Sequence, residues 1–318
     1  MHPAFLPLPR RFLYALKPAS WPKLLVPAIV GQALGVLAAG TWSWGGAAVG
    51  LGFTALTLVY IVLLNDWFDV RVDAIKRQMF PDAGAPKTIP DAILHPQSVL
   101  LAGVGAGLCA LSLGLCGELL LGRSGLGLAS LIALGMLLLY SAPPLRLNDR
   151  GLGEIVEAVG VGALLPWFNA YAQSGQVVAP ELLLVLPGLT ALALASAIAS
   201  GLADEESDRA GAKSTITTQL GNLAARNAVE YAVMAGAVLW ALAARIGVGV
   251  VSPFAFSAAL MVLLWQWRGV AAASPMALTN AFPAIARYKQ ALHRTLWSSA
   301  LTLALALLLL RALGVGVR

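Results

Sequence analysis

Charge is what this 318-residue chain has least of. Asp, Glu, Lys and Arg make up 11% of it, where a soluble domain carries about 25%. With 59% hydrophobic residues and a mean hydropathy of +0.80, the soluble globular class is excluded and a polytopic membrane protein is expected. Cysteine is nearly absent. Cys109 and Cys116 fall in one apolar run, about 10 Å apart along a helix rising ~1.5 Å per residue, too far for a disulfide. They read as two small buried hydrophobes. The three histidines, His2, His95 and His293, are scattered, which argues against a zinc or haem site. The opening MHPAFLPLPRRFLYALKP is broken by prolines and has no small-residue cleavage site, so no cleaved signal peptide is expected.

What is present is a series of apolar runs. A helix crosses the hydrocarbon core with about 20 residues. Nine such spans are predicted, at 24–40, 46–66, 98–117, 125–141, 153–173, 181–203, 223–244, 251–267 and 293–313. The predicted fold is all-α, nine transmembrane helices forming a single domain over 1–318. Connections alternate between tight turns (TWSWG, QSGQVVAP, RIGVGV) and long charged stretches at 67–97, 204–222 and 268–292. Of the 21 Lys and Arg, 17 fall at the N-terminus or in every second connection; Arg123, Arg245, Arg311 and Arg318 fall on the other side. By the positive-inside rule the N-terminus is cytoplasmic and the C-terminus outside. The partner implied by these charges is a lipid bilayer, with no nucleic acid; no oligomeric state follows.

The acids are concentrated too. In LLNDWFDVRVD, residues 63–73, an apolar run ends in Asp66, Asp69 and Asp73, spaced i, i+3 and i+7 on one helical face, with Asn65 alongside. Like charges gathered on one face call for a bridging cation, and hard carboxylate oxygens suit Mg²⁺. A second cluster, DEESD at 204–208, ends the sixth span; Asp204 and Asp208 share a face at i, i+4, and Glu206 is carried as a further ligand. Both clusters fall on the cytoplasmic side. Two acid faces holding Mg²⁺, with Lys87, Arg77 and Lys213 nearby, could grip a diphosphate, and an allylic diphosphate so held would ionise to a carbocation. Tyr140 ends the fourth span at the same depth, a position for a group beside the reacting carbon. Asn169 and Gln173 in the fifth span are candidate substrate contacts. A transporter keeps its ionisable groups near mid-bilayer rather than at the boundary. A non-catalytic membrane subunit would tolerate loss of single aspartates.

These residues resemble a known family. NDWFDVRVD matches the NDxxDxxxD signature of the UbiA superfamily of intramembrane prenyltransferases, and DEESD followed by Arg209 matches its second motif. YSAPPLRLNDRGLGE at 140–154, which contains Arg146, and KTIPDAILHP at 87–96 look like further segments of it. The resemblance implies nine helices around a central cavity open laterally to lipid. It also implies Mg²⁺-bound polyprenyl diphosphate at the cytoplasmic mouth, and Arg146 and Arg209 as substrate-binding residues. DEESDRAGAKSTITTQLG and LHRTLWSSALTLALALLLL resemble the 1,4-dihydroxy-2-naphthoate branch of menaquinone synthesis; NDWFDVRVDAI and YSAPPL are closer to the chlorophyll synthase branch. The sequence departs from the first branch at Ser200 and Gly201, where paired Asn is usual. It departs from the family at Lys87-Thr88, where Arg-Pro is usual, after the insert KRQMFPDAGAP. The resemblance implies an aromatic quinone precursor as acceptor. The alternatives are 4-hydroxybenzoate, homogentisate, a chlorophyllide-like tetrapyrrole or a glycerol lipid.

Overall fold

A computed structural model of the chain describes residues 2–82 and 85–314. It is helical, and among the described residues it has no named strand. After the short surface helix α1 (Leu8–Ala15) come α2 (Pro22–Ala39), α3 (Trp44–Phe68), α4 (Val70–Met79), α5 (Pro96–Leu121) and α6 (Leu126–Ser141). The fifth span is α7 (Gly153–Val159), a π-turn (Gly160–Leu164) and α8 (Leu165–Ser174). Then follow α9 (Pro180–Gly201), α10 (Glu205–Ala210), α11 (Ile216–Leu220), α12 (Asn222–Ile246), α13 (Pro253–Ala273) and α14 (Phe282–Ala312). Each of the nine predicted spans is helical. Eight helical segments among the described residues are long and apolar enough to cross a membrane. The ninth, α6, has 16 residues and so about 24 Å of rise, shorter than a ~30 Å hydrocarbon core.

The span boundaries follow from punctuation in the sequence. Proline opens α2, α5, α9 and α13, where a missing N–H costs nothing. Gly40 and Gly175 close α2 and α8 in the left-handed region. In the fifth span Pro166 cannot donate to the helix ladder, and the ladder widens into the π-turn just before it.

The bundle closes around α2 and α8. Helix α2 packs on α8 and α14, α9 on α12, α13 on α14, and α3 on α5. The α2–α8 contact is made possible by Gly31 and Gly35. A Cβ at Gly31 would come within 2.8 Å of Asn169 Cβ, and one at Gly35 within 2.6 Å of the Ala170 carbonyl oxygen. One apolar core joins α2, α9 and α12–α14; a second joins α3, α5, α6 and α8, where Phe53 stacks on Phe168 with ring centroids 4.0 Å apart.

Two expectations are corrected. Cys109 and Cys116 are exposed on the outer face of α5, not buried: the helix contributes its glycines, Gly103, Gly107, Gly114 and Gly117, to the packed face and turns the cysteines away. The first acid motif is not one continuous helix: α3 ends at Phe68, Asp69 is the junction at φ −91°, ψ 7°, and α4 starts at Val70. The long charged connections carry the short helices α4, α10 and α11. Arg318, counted with the opposite side of the membrane, lies outside the described residues.

Candidate active site

At the end of the bundle where α3 and α9 finish, the helices enclose a cavity of about 400 Å³. Its floor is apolar: Phe53, Leu58 and Ile61 of α3, Met136 and Leu137 of α6, and Val161 and Leu164 of the π-turn. Its mouth carries Asn65, Asp66, Asp69 and Asp73 from the α3–α4 junction and Asp204, Ser207 and Asp208 from α9–α10. The break at Asp69 does not scatter the first motif, because Asp69 N–H still donates to Asn65 O (2.9 Å) and Asp73 N–H to Asp69 O (2.9 Å), so the turn continues. On the second cluster, Asp208 N–H donates to Asp204 O at 2.7 Å. The two motifs face each other across one space.

Lysines bridge that space. Lys17 Nζ is 2.5 Å from Asp66 Oδ1, whose Oδ2 accepts from Thr88 Oγ1 at 2.6 Å. Lys87 Nζ is 2.5 Å from Asp73 Oδ1, and Lys213 Nζ is 3.4 Å from Asp69 Oδ2. Lys76 pairs with Asp204 and also donates to the Ala203 carbonyl at 2.7 Å. Lys76 thus ties α4 to the second motif, while Lys87 and Thr88 tie the segment after α4 to the first. Arg146 Nη2 stands 3.8 Å from Asp69 Oδ1, beyond hydrogen-bond reach, so that buried oxygen has no hydrogen-bond partner.

The charges set each other's protonation. Burial pushes the Asp69 carboxyl up, with Asp73 and Asp149 adding to it and Lys213 opposing. Burial also raises Asp208, and the nearby Asp204 and Asp69 add to it against Lys213. At Asp204 burial works upward too, yet Lys76 and Lys87 overcome it and hold the carboxyl down. Burial opposes the charges on Lys87 and Lys213, but the surrounding aspartates more than offset it and raise both. The two motifs are therefore one electrostatic unit.

Several predicted site residues meet here. Asn65, Asp66, Asp69, Asp73, Lys87, Tyr140, Asp204, Asp208 and Lys213 all line the cavity; Asn65 Oδ1 accepts from Ser141 Oγ at 3.0 Å. Arg146 stands beside the mouth and pairs with Asp149 at 2.8 Å. Others are not brought to it. Arg77 pairs with Asp91 through Nε at 2.9 and 3.0 Å and lines a neighbouring cavity. Arg209 is exposed and reaches Glu205 and the Thr218 carbonyl. Glu206 is absent from the cavity lining. Asn169 and Gln173 are also absent from it: Asn169 Nδ2 donates to Thr54 Oγ1 (3.0 Å) and its Oδ1 accepts from Gln32 Nε2 (2.9 Å), in a separate buried polar network joining α2, α3 and α8.

Sequence reasoning did not single out Lys17, Lys23 and Lys289, which line the cavity, or Thr88, which bonds Asp66. Lys17 and Lys23 flank the start of the first span and were readable only as basic anchors. A Lys-Pro step at 17–18, which turns the chain at Lys17 (φ 50°), was the available signal. Lys23 pairs with Glu157 of α7, and His293 of α14 contacts Ser196 Oγ at 3.0 Å.

The UbiA prenyltransferase family model matches residues 24–288. The chain belongs to the UbiA prenyltransferase family. It is similar to the chloroplastic chlorophyll synthase of Oryza sativa subsp. japonica, 27% identical over 208 residues covering 62% of this chain and 52% of that protein. It is also similar to that of Arabidopsis thaliana, 28% identical over 209 residues covering 62% and 50%. The chain thus spans about half the length of the curated relatives it matches. Its fold is that of a UbiA homolog from Archaeoglobus fulgidus bound to GPP and Mg²⁺, with a TM-score of 0.64 at 18% identity over 94% of this chain and 99% of that one. The apo UbiA homolog from Aeropyrum pernix K1 gives 0.63 at 14% identity over 86% and 95%.

Proposed function

We propose that this UbiA family member is a Mg²⁺-dependent prenyltransferase that moves a polyprenyl group from an allylic diphosphate to an aromatic quinone precursor. The observation that carries this reading is the pair of aspartate motifs facing each other over an apolar cavity. The donor set fits the metal. Among the described residues no three acids, histidines or cysteines converge as a closed metal cage. Mg²⁺ at phosphate sites takes only one or two carboxylates and fills the rest with phosphate oxygens and water. Asp66, Asp69 and Asp73 would hold it on one side, Asp204 and Asp208 on the other, and the unpartnered Asp69 Oδ1 is a ready ligand atom. When bound, Mg²⁺ supplies charge neutralisation for the leaving diphosphate.

The chain's own residues do the rest. Lys87 and Lys213 offer ammonium donors to phosphate oxygens, and Asn65 orients the group from the edge of the first motif. The allylic C–O bond breaks with its electron pair going to the diphosphate. A bond to the acceptor forms, and the acceptor loses a proton. The floor of Phe53, Leu58, Ile61 and Leu164 excludes water from the cation, with Tyr140 beside it. Arg146, beside Asp69, is a second-line contact for the diphosphate. The reading makes residues 1–318 one catalytic unit in the bilayer, both motifs and the N-terminus cytoplasmic.

The acceptor we favour is 1,4-dihydroxy-2-naphthoate, because the segment from Asp204 to Gly221 and the last helix follow that branch. Lys23 and Lys289, on the cavity wall beside His293, suit its carboxylate. A chlorophyllide-like tetrapyrrole is the second reading, supported by the chlorophyll synthase relatives. The test uses membranes containing the protein, Mg²⁺, labelled geranylgeranyl diphosphate and both acceptors, with 4-hydroxybenzoate, homogentisate and a glycerol lipid for comparison. Product masses identify the acceptor. Absence of any prenylated product across the panel overturns the enzyme reading.

A further inference from the structure

Six lysines line the main cavity, and five of them hold a carboxylate: Lys17 with Asp66, Lys23 with Glu157, Lys76 with Asp204, Lys87 with Asp73 and Lys213 with Asp69. Lys289 is the sixth. Among the described residues it makes no ion pair. Asp204 and Glu157 act on it only from a distance, and each already has a lysine of its own. One turn further along α14 stands His293, which lines the same cavity. The two residues are at i, i+4, so they share a face with Cβ atoms about 5–6 Å apart. His293 Nε2 is 3.0 Å from Ser196 Oγ of α9. With that nitrogen donating to the hydroxyl, Nδ1 keeps its lone pair for a ligand. The half-buried wall of α14 thus presents a cationic donor and, next to it, a neutral acceptor.

We propose that Lys289 and His293 form a subsite for an aromatic acceptor whose carboxylate and hydroxyl sit on neighbouring ring carbons. Lys289 donates to the carboxylate, and the ring hydroxyl donates to His293 Nδ1. Lys23, held by Glu157, adds its positive charge nearby. The proposal rests on the acceptor reading given above and goes further, because it says which hydroxyl is read. 1,4-Dihydroxy-2-naphthoate carries its 1-hydroxyl beside the 2-carboxylate. In 4-hydroxybenzoate the hydroxyl is across the ring, out of reach of the pair. In water a neighbouring hydroxyl and carboxylate bond to each other. The subsite replaces that internal bond with one bond to each group. An acid without the neighbouring hydroxyl leaves Nδ1 unpaired, and a site built to bond a hydroxyl discriminates against such a ligand.

The test measures binding without prenyl transfer. Ligand fluorescence follows equilibrium binding to the full chain in nanodiscs, corrected against empty nanodiscs. The probes are 1-hydroxy-2-naphthoate, its isomer 6-hydroxy-2-naphthoate and the uncharged 1-hydroxy-2-naphthamide. The parent should bind the first about tenfold more tightly than either of the others. His293→Leu should bring the two isomers within about twofold of each other. His293→Asn should recover part of the preference, since Asn Oδ1 is attached to Cγ as Nδ1 is in histidine. Lys289→Met should abolish the preference for the acid over the amide. Equal binding of all three probes by the parent overturns the subsite. So does a parent-like preference in His293→Leu and Lys289→Met, or a uniform weakening of every probe, which is what a structural role would give. If no variant folds, the parent's own preference among the probes decides. A parent that prenylates 1,4-dihydroxy-2-naphthoate yet shows no preference loses the subsite alone. One that prenylates no acceptor in the panel fails the enzyme reading as well.

Discussion

Replacing Asp69 by Asn probes the centre of the proposed mechanism. The amide keeps the shape and burial of the side chain but removes its charge. Asp69 Oδ2 lies 3.4 Å from Lys213 Nζ, with both side chains about one-tenth exposed. At that distance, and an effective dielectric constant of ~20, the gross attraction is about 5 kcal/mol. Little of this is lost as stability, because Lys213 also faces Asp208, Asp204 and Asp149, which still balance it. Removing Asp69 also relieves its repulsion with Asp73 and Asp149. The net change in stability is expected to stay within ~2 kcal/mol. Catalysis is affected far more. A ligand that neutralises charge in the transition state is worth ~3–4 kcal/mol, so single-turnover prenylation should fall about 100- to 1000-fold at saturating Mg²⁺ and acceptor. The assay is rapid-quench formation of labelled prenylated product, with thermal unfolding of the same preparation as control. A rate within about threefold of the parent, on protein that unfolds normally, would refute the role given to Asp69.

Chelating divalent cations with EDTA should abolish product formation and added Mg²⁺ restore it, while Ca²⁺, larger and needing more oxygen ligands, restores less; endpoint product mass checks this. Gly35→Leu should destabilise the bundle by about 1–3 kcal/mol, since its side chain would drive α2 off α8; loss of monodisperse protein on heating reads it out. Asp91 anchors the 80–95 segment: burial opposes its charge, but the Arg77 guanidinium and the Lys87 N–H outweigh this and lower its carboxyl pKa. A depressed acid contributes stability above its unfolded value of ~3.9 and loses it as pH falls through the folded value, so proteolysis within this segment should rise only below about pH 4. Cys109 and Cys116 face outward on α5, so a lipophilic maleimide should label them in membranes and a membrane-impermeant one should not.

Much of the fold was legible in composition. Nine apolar runs, bounded by Pro and Gly, became nine helical segments, and their pairing into a bundle followed. The gap at Asp69 was not legible, because NDWFDVRVD has no helix breaker, and its aspartates meet Lys17, Lys87 and Lys213 only in the folded chain. The cysteines were misjudged because residue type carries no information on which side of an apolar helix faces its neighbours; the Gly103-Gly107 and Gly114-Gly117 steps on α5 hold that information. In the site, the aspartates were readable from spacing. Their lysine partners were not, since Lys17 and Asp66 are separated by 49 residues and only the fold brings them together. Asn169 and Gln173 looked like substrate contacts because they are polar in an apolar span; Asn169 is instead satisfied by Gln32 and Thr54, and Gln173 is buried outside the cavity lining.

The lysine–aspartate pairs have a further consequence for how the protein is made. Seven carboxylates and six lysines line the main cavity, so with His293 neutral the formal charge of its lining is −1. The cavity therefore carries its own counter-ions. On this balance it needs no metal to offset its acids while the bundle assembles, and folding is expected to be independent of magnesium supply. Protein produced in cells starved of Mg²⁺ should insert and fold in full yield and become active as soon as the ion is returned.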